Sequence, residues 1–181
     1  MEFDSLATHW LNSLAGQSAL ADGVMIFLAR FAIFVVVGSI ALRWWARSGR
    51  DSQRFIALSC GLATAIGLGF NQAILLFIDR IRPYDQGITQ AIIDKSADPS
   101  FPSDHATVVF ATAILLLLKR DRFWPAYMAV AVLVGTSRVF VGLHFVSDVL
   151  GGAATAALAA GLVHMLFRRE SALSRRLTNI F

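Results

Sequence analysis

Charge is scarce in this chain. Of its 181 residues, 16 are Lys or Arg and 12 are Asp or Glu, 15% in all, against about 25% in ordinary soluble domains. Cysteine is scarcer still. Cys60 stands alone inside an apolar run, which excludes an intrachain disulfide framework and suits a small buried hydrophobe. No Cys/His cluster has zinc-ligand spacing, and no glycine-rich nucleotide loop follows a strand, so neither a metal nor a cofactor is expected. The first 20 residues hold Glu2 and Asp4 but no Lys or Arg. That is the reverse of the basic start of a cleavable signal, so the first membrane helix is expected to direct insertion. No internal repeat or low-complexity tract is visible.

What the chain has in quantity is apolar surface: 56% of its residues are hydrophobic. Five apolar segments emerge, at about Asp22–Trp45, Phe55–Ile78, Ala106–Leu118 (beginning near Ser103), Phe123–Gly142 and His144–Phe167. The first is crossed by Arg30 and the second carries no charge. Both exceed the ~20 residues needed to span a bilayer core. One straight helix from Phe123 to Phe167 would run ~68 Å, far beyond a ~30 Å core, so a break is required, and Gly142 is the expected place for it. Phe3 to Leu20 mixes Phe3, Leu6, Trp10, Leu11 and Leu14 with polar residues, the pattern of a helix lying at the interface. The expected fold is all-α: a single integral-membrane domain over residues 1–181, with about five transmembrane helices and an N-terminal interfacial helix.

The formal net charge of +4 does not imply nucleic acid, because the basic residues cluster between apolar runs. Arg43, Arg47, Arg50 and Arg54 fall on one side with Lys119, Arg120 and Arg122 and with Arg168, Arg169, Arg175 and Arg176, together 11 of the 16. The opposite side takes the N-terminus, the Gly142 turn and the long connection Asp79–Asp104, where Arg80, Arg82 and Lys95 face five aspartates. Positive-inside bias puts the C-terminus in the cytoplasm and the N-terminus outside, with the polar motifs on the outer face of a bacterial cytoplasmic membrane. Trp44, Trp45, Trp124 and Tyr127 read as an aromatic belt on the basic side, and His9 and His164 as interfacial residues.

Three polar clusters lie at or near membrane depth. Asp79-Arg80-Ile81-Arg82-Pro83 ends the second apolar segment, where arginines also suit snorkelling to the headgroups. Phe101-Pro102-Ser103-Asp104-His105 precedes the third. There Ser103 reads as an N-cap, so free N–H groups and the positive helix end make an anion site or simply a capped helix start. Ser137-Arg138 through His144 to Asp148 spans the expected break. His144 and Asp148 are four apart, so on a helix they share a face. A carboxylate holding the proton on one ring nitrogen frees the other as a nucleophile, although a structural His–Asp pair fits the same spacing. Arg138 at membrane depth calls for a partner. On one face of one bundle these clusters combine planar donors for phosphate oxygens with two histidines, a nucleophile and a proton donor.

The sequence Arg82-Pro83, then Pro102-Ser103-Asp104-His105, then Ser137-Arg138, His144 and Asp148 resembles the three-block signature of the type 2 phosphatidic acid phosphatase superfamily. The resemblance runs from about Phe55 to Gly152. It implies a phosphohistidine mechanism without obligatory metal, in which His144 attacks phosphorus, Asp148 orients it and His105 protonates the leaving group. Arg82, Arg138 and the Ser103 region would bind phosphate. Two positions depart from the pattern. Leu75 stands where the family has a lysine, and Asp104 where its second block has glycine. The Phe101–His105 block in so short a chain is similar to the bacitracin-resistance type of undecaprenyl-diphosphate phosphatase.

The function this implies is hydrolysis of undecaprenyl diphosphate to the monophosphate, recycling a carrier lipid for cell-wall synthesis. Phosphate transfer to lipid A, hydrolysis of phosphatidylglycerol phosphate or phosphatidate, and a non-catalytic membrane role stand as alternatives. For the missing lysine, two substitutes are expected to line the site. Arg30 would supply charge if it does not pair with Asp22 or snorkel outward. Asn71, one turn before Leu75 on the same face, would supply amide hydrogen bonds. The expected partners are the polyprenyl diphosphate and the bilayer, with oligomeric state open.

Overall fold

The computed structural model describes residues 2–167; the basic tail from Arg168 to Arg176 lies outside the described residues. The chain is all-helical: α1 Glu2–Asn12, α2 Ala19–Leu42, α3 Arg50–Leu75, α4 Asp104–Leu118, α5 Trp124–Phe140 and α6 Val146–Leu166, with a short 3₁₀ turn, Arg43–Trp45, after α2. Three of these, α2 with its 3₁₀ turn, α3 and α6, are long and apolar enough to cross a membrane, and α4 and α5 are shorter apolar helices.

Local chemistry sets the ends. The N–H of Gly16 donates to both oxygens of Asp22 at 3.0 and 3.1 Å, tying the turn to the first turn of α2. Pro125 sits in the first turn of α5, where its missing N–H costs nothing. The second apolar run extends further toward the basic side than its composition suggests, because residues 50–54 join α3. Arg54 stacks over Trp44 at 4.8 Å and its Nε donates to the Trp44 carbonyl at 3.2 Å. At the other end the helix stops at Leu75, short of the expected Ile78.

Helix α4 is the hub. It packs against α3, α5 and α6, with Ala106, Val109, Ala111, Ala113, Leu115 and Leu116 buried. Small residues on α6, namely Gly152, Ala156, Ala159 and Ala160, let the backbones close up without the aid of a hydrophobic effect between helices. A Cβ on Gly152 would stand 2.5 Å from the Ser103 carbonyl oxygen. Helix α2 buries Ala29, Ala32 and Val36 and leaves Phe27, Phe31, Phe34 and Val35 exposed, an apolar outer face suited to lipid. At the basic end a bidentate pair, Arg43 to Asp121 at 2.7 and 3.1 Å, links α2 to the α4–α5 connection.

At the opposite end the connection 76–103 folds back over the helices. The Ile92 N–H donates to Val141 O at 3.2 Å, the Ser103 N–H to Asp148 O at 3.0 Å, and the Thr89 hydroxyl to Gly142 O at 2.9 Å. Helix α1 lies on the same end. Asn12 donates to Phe140 O (2.8 Å) and Gln90 O (3.0 Å), and Thr8 Oγ1 accepts from the Val146 N–H (3.1 Å). Phe3, Leu6 and Trp10 remain exposed along α1, in keeping with an interfacial helix.

The break between α5 and α6 falls at Gly142, with φ +84°. One detail differs from the sequence expectation: α6 starts at Val146, so His144 belongs to the turn and is not on a helix with Asp148. A Cβ at Gly142 would sit 2.5 Å from Gln90 O. Gly142→Ala is therefore expected to destabilise the fold by about 1–2 kcal/mol from conformation alone, and further from the clash. It should lower both the unfolding temperature in detergent and the activity, since His144 is two residues away; an unchanged melting curve would contradict this.

Candidate active site

Three helices, the connection 76–103 and the α5–α6 turn meet around a cavity of about 330 Å³, whose lining includes Leu75, Arg82, Asp104, His105, Arg138 and His144. Each arrives from a different place. Leu75 ends α3, Arg82 lies in the connection, Asp104 and His105 form the first turn of α4, Arg138 closes α5, and His144 sits in the α5–α6 turn. A larger apolar groove of about 640 Å³ between α2 and α3, walled by Trp44, Trp45 and Phe167, holds no titratable side chain and can do no acid–base chemistry.

His144 is 3% exposed. Its Nδ1 lies 2.9 Å from the Ser100 carbonyl oxygen. A carbonyl only accepts, so Nδ1 carries the proton and Nε2 keeps its lone pair. Nε2 stands 3.4 Å from Arg82 Nη1. The expected Asp148 contact is looser, at 3.6 Å from Nδ1 to Oδ2. The tautomer is thus held first by Ser100 and only secondarily by Asp148. The Asp148 carboxylate is fully buried and saturated by other donors: the Phe145 N–H at 2.8 Å, the Ser100 hydroxyl and Arg80 Nη1 at 2.7 Å. Burial pushes the imidazole of His144 below the ordinary histidine range; Arg138 and Arg82 push the same way, and Asp148 opposes them.

The two cavity arginines are anchored from behind by carbonyls. Arg82 donates through Nε to Asp98 O at 2.7 Å and through Nη1 to Leu143 O at 3.0 Å. Arg138 donates through Nη1 to Ala29 O at 3.0 Å, and its Nε is buried without a partner. Among the described residues neither forms an ion pair with a carboxylate, whereas Arg30, Arg43 and Arg80 all do. Two guanidiniums that face one cavity without being ion-paired to the carboxylates in its wall, Asp98 and Asp104, make a site for a tetrahedral oxyanion.

Ser103 occupies the N-cap position of α4, but its side chain makes no capping bond; the Oγ is buried and unpartnered between the lining residues Pro102 and Asp104. Asn71 serves the site from behind, donating to Asp104 Oδ1 at 2.7 Å and to Thr107 Oγ1 at 2.8 Å. Arg30 is not in the cavity. It pairs with Asp94 at 2.6 Å, with the two side chains 41% and 93% exposed, because its long stem lets the charge reach water instead of staying at membrane depth. The position of the family's lysine holds Leu75, which does line the cavity.

Sequence reasoning missed Ser100, Asp4 and Ser147 altogether and treated Arg80 as a flanking charge. Ser and Asp residues in a polar connection carry no local signal.

The lowered pKa of His144 has a pH consequence. The free nucleophile is neutral down to below the usual value of about 6.5, so the acid limb of the kcat/KM profile should fall below that value. Loss of activity as soon as pH drops through 6.5–7 would contradict a buried, desolvated imidazole.

The model of the PAP2 superfamily matches residues 55–172. The chain is 32% identical over 166 residues to undecaprenyl-diphosphatase BcrC of Bacillus subtilis, covering 91% of this chain and 82% of that one. It is 28% identical over 141 residues to an undecaprenyl-diphosphatase of Sulfolobus acidocaldarius, covering 75% and 66%. Its fold matches the crystal structure of a transmembrane PAP2 type phosphatidylglycerolphosphate phosphatase from Bacillus subtilis, with a TM-score of 0.72 at 22% identity, over 94% of this chain and 87% of that one. With the three polar blocks gathered on one cavity and the family match running over most of the helical bundle, this chain belongs to the PAP2 superfamily.

Proposed function

We propose that this protein is a lipid diphosphate phosphatase that converts undecaprenyl diphosphate to undecaprenyl phosphate and inorganic phosphate, acting as a single domain. The observation that carries the proposal is the pair of buried guanidiniums, Arg82 and Arg138, aimed into the cavity of His144 and His105 without a carboxylate partner among the described residues. The relatives' names supply the lipid.

In the first step Nε2 of His144 attacks the terminal phosphorus, and the bridging P–O bond to the lipid monophosphate breaks. The leaving oxygen takes a proton from His105. Arg82 and Arg138 take the charge that spreads over the equatorial oxygens, with Ser103 Oγ as a further donor. In the second step His105, now neutral, accepts a proton from water as its oxygen attacks the phosphohistidine. The P–N bond breaks, releasing inorganic phosphate and restoring His144. The site opens toward the outer face, with the N-terminus outside and the C-terminus cytoplasmic, so carrier lipid returned to that face is recycled where it appears.

His144→Ala should lower turnover by about 10³-fold or more, and His105→Ala by about 10²–10⁴-fold. A phosphorylated imidazole trapped by acid-free quenching should be present in the wild type and absent from His144→Ala. Phosphate release from a panel of lipid mono- and diphosphates should favour the polyprenyl diphosphate. Transfer to added lipid A without phosphate release would overturn the hydrolase assignment.

Orientation has its own test. With Cys60→Ala as background, an impermeant thiol reagent on intact cells should label Gln86→Cys and spare Ser48→Cys, both exposed positions at opposite ends of the bundle. The reverse labelling would turn the protein over.

A further inference from the structure

We propose that the N-terminal helix is part of the catalytic apparatus, through a relay in which Asp4 of α1 positions Arg80, and Arg80 positions Asp148 behind His144. The inference rests on the proposed function and adds two positioning residues to it, neither of which lines the cavity.

The contacts form a closed network. Arg80 Nη2 meets Asp4 Oδ2 at 2.7 Å, and Arg80 Nη1 meets Asp148 Oδ1 at 2.7 Å. Ser147 fills the space between them. Its N–H donates to Asp4 Oδ1 at 3.0 Å, its hydroxyl donates to Asp4 Oδ2, and it accepts from Arg80 Nη1. The guanidinium lies 3.9 Å over the ring of Phe145, the residue between His144 and α6. Burial raises the carboxyl of Asp4, but hydrogen bonds from Ser147 and Arg80 outweigh it and hold Asp4 below the usual carboxylate range. The four residues come from three parts of the chain: Asp4 from α1, Arg80 from the connection, and Ser147 and Asp148 from the first turn of α6.

Docking of α1 does not need this network. Asn12 and Thr8 already fasten the helix to the backbone at Phe140, Gln90 and Val146. What the network adds is an orientation and a charge. Arg80 occupies Oδ1 of Asp148, so Oδ2 is the oxygen left for Phe145 N, Ser100 Oγ and the nearby Nδ1 of His144. It also shares the negative charge of Asp148 with the imidazole. A planar guanidinium that bridges two carboxylates fixes their geometry in a way a single ammonium cannot.

This division of charge predicts opposite effects on the two sides of the relay. His144 is faced by Arg82 from the connection, Arg138 from α5, His105 from α4 and Asp148 from α6; Asp98 and Asp104 also line the cavity. None of these is altered by changing Asp4 or Arg80. Without the charge of Arg80, Asp148 acts more fully on the imidazole and favours its protonated form. The acid limb of kcat/KM then moves to higher pH. Without the charge of Asp4, Arg80 acts more fully on Asp148, and the limb moves to lower pH.

The test uses the full chain, purified in detergent, with phosphate release from farnesyl diphosphate followed across the pH range. Arg80→Gln should lower kcat by about 10–100-fold, the range typical of residues that orient a reacting side chain from behind, with KM changed by less than about threefold. Asp4→Asn should lower kcat by about 3–10-fold, and the double variant should be no worse than Arg80→Gln, as expected when two residues act through one network. Wild-type kcat and acid limb in both single variants, or limbs displaced in the same direction, would overturn the relay. Should Arg80→Gln fail to fold, Arg80→Lys takes its place. It keeps the charge but not the two-carboxylate geometry, so kcat should fall while the limb stays near wild type. A wild-type kcat in Arg80→Lys and in Asp4→Asn overturns the relay equally. His144→Ala separates the two levels. If it still releases phosphate, the phosphatase mechanism fails and the relay with it; if it is inert while the Arg80 and Asp4 variants behave as wild type, the relay alone fails.

Discussion

A carboxylate with no solvent exposure at all, that of Asp148, is the constraint around which this end of the bundle is organised. A buried charge is tolerated only when its lone pairs are filled and its charge is matched. Here the donors come from the residue before α6 (Phe145 N), from the long connection (Ser100 Oγ) and from the end of the second apolar run (Arg80 Nη1). The backbone carbonyl of the same residue accepts from Ser103 N, and Ser100 N donates to Arg80 O. Satisfying one carboxylate therefore locks the connection 76–103 onto the helix ends. The carbonyl of Ser100 is then at the right distance to hold Nδ1 of His144.

The arginines divide by what neutralises them. Arg43, at the basic end, is bidentate to Asp121; Arg80 bridges two carboxylates; Arg30 reaches outward to Asp94. Arg82 and Arg138 are almost fully buried and anchored by carbonyl oxygens, with Arg82 also within reach of His144 Nε2. Carbonyl dipoles fix their direction without cancelling their charge. Like charges lining one buried cavity repel each other, and an anion bound between them relieves that repulsion. The asymmetry between the two sets locates the anion site more directly than cavity size does, since the larger groove beside Trp44 and Trp45 is wholly apolar.

Much of this was legible in the sequence, for physical reasons that can be named. A bilayer core demands runs of about 20 apolar residues, so the helices announce themselves. The over-length of the last apolar stretch forced a break, and Gly142 with its positive φ supplies it. Arg82, His105, Arg138 and His144 stood out because polar residues at membrane depth need a reason, and all four line one cavity. Three things were not legible. Period-four spacing suggested that His144 and Asp148 share a helix face, yet the same spacing also fits a turn residue and the third residue of the following helix. Arg30 was given a site role by its depth in α2 unless it paired with Asp22 or snorkelled outward; it does reach outward, but to Asp94, a partner far along the chain. Asn71 and Leu75 were read as one face pointing at the cavity. Leu75 does line it, but Asn71 turns its amide to Asp104 and Thr107 on α4, a long-range pairing that no local pattern encodes.

The site lies where helices of unequal length meet the long connection. Helix α3, at 26 residues, runs ~39 Å, whereas α4 and α5, at 15 and 17 residues, run only ~22 and ~26 Å. The short helices carry the chemistry at their ends nearest the connection: Asp104 and His105 in the first turn of α4, Arg138 in the last turn of α5. The end of α3 reaches the same place, since Leu75 lines the cavity beside Asp104, His105 and Arg138. Over these ends lies the irregular connection, whose carbonyls at Asp98 and Ser100 hold Arg82 and His144 and whose Ile92 N–H donates to Val141 O in the α5–α6 turn. Irregular backbone at the end of an apolar bundle is tolerated only where its polar groups find partners in the protein, and here those partners are the side chains and helix termini that line the cationic chamber.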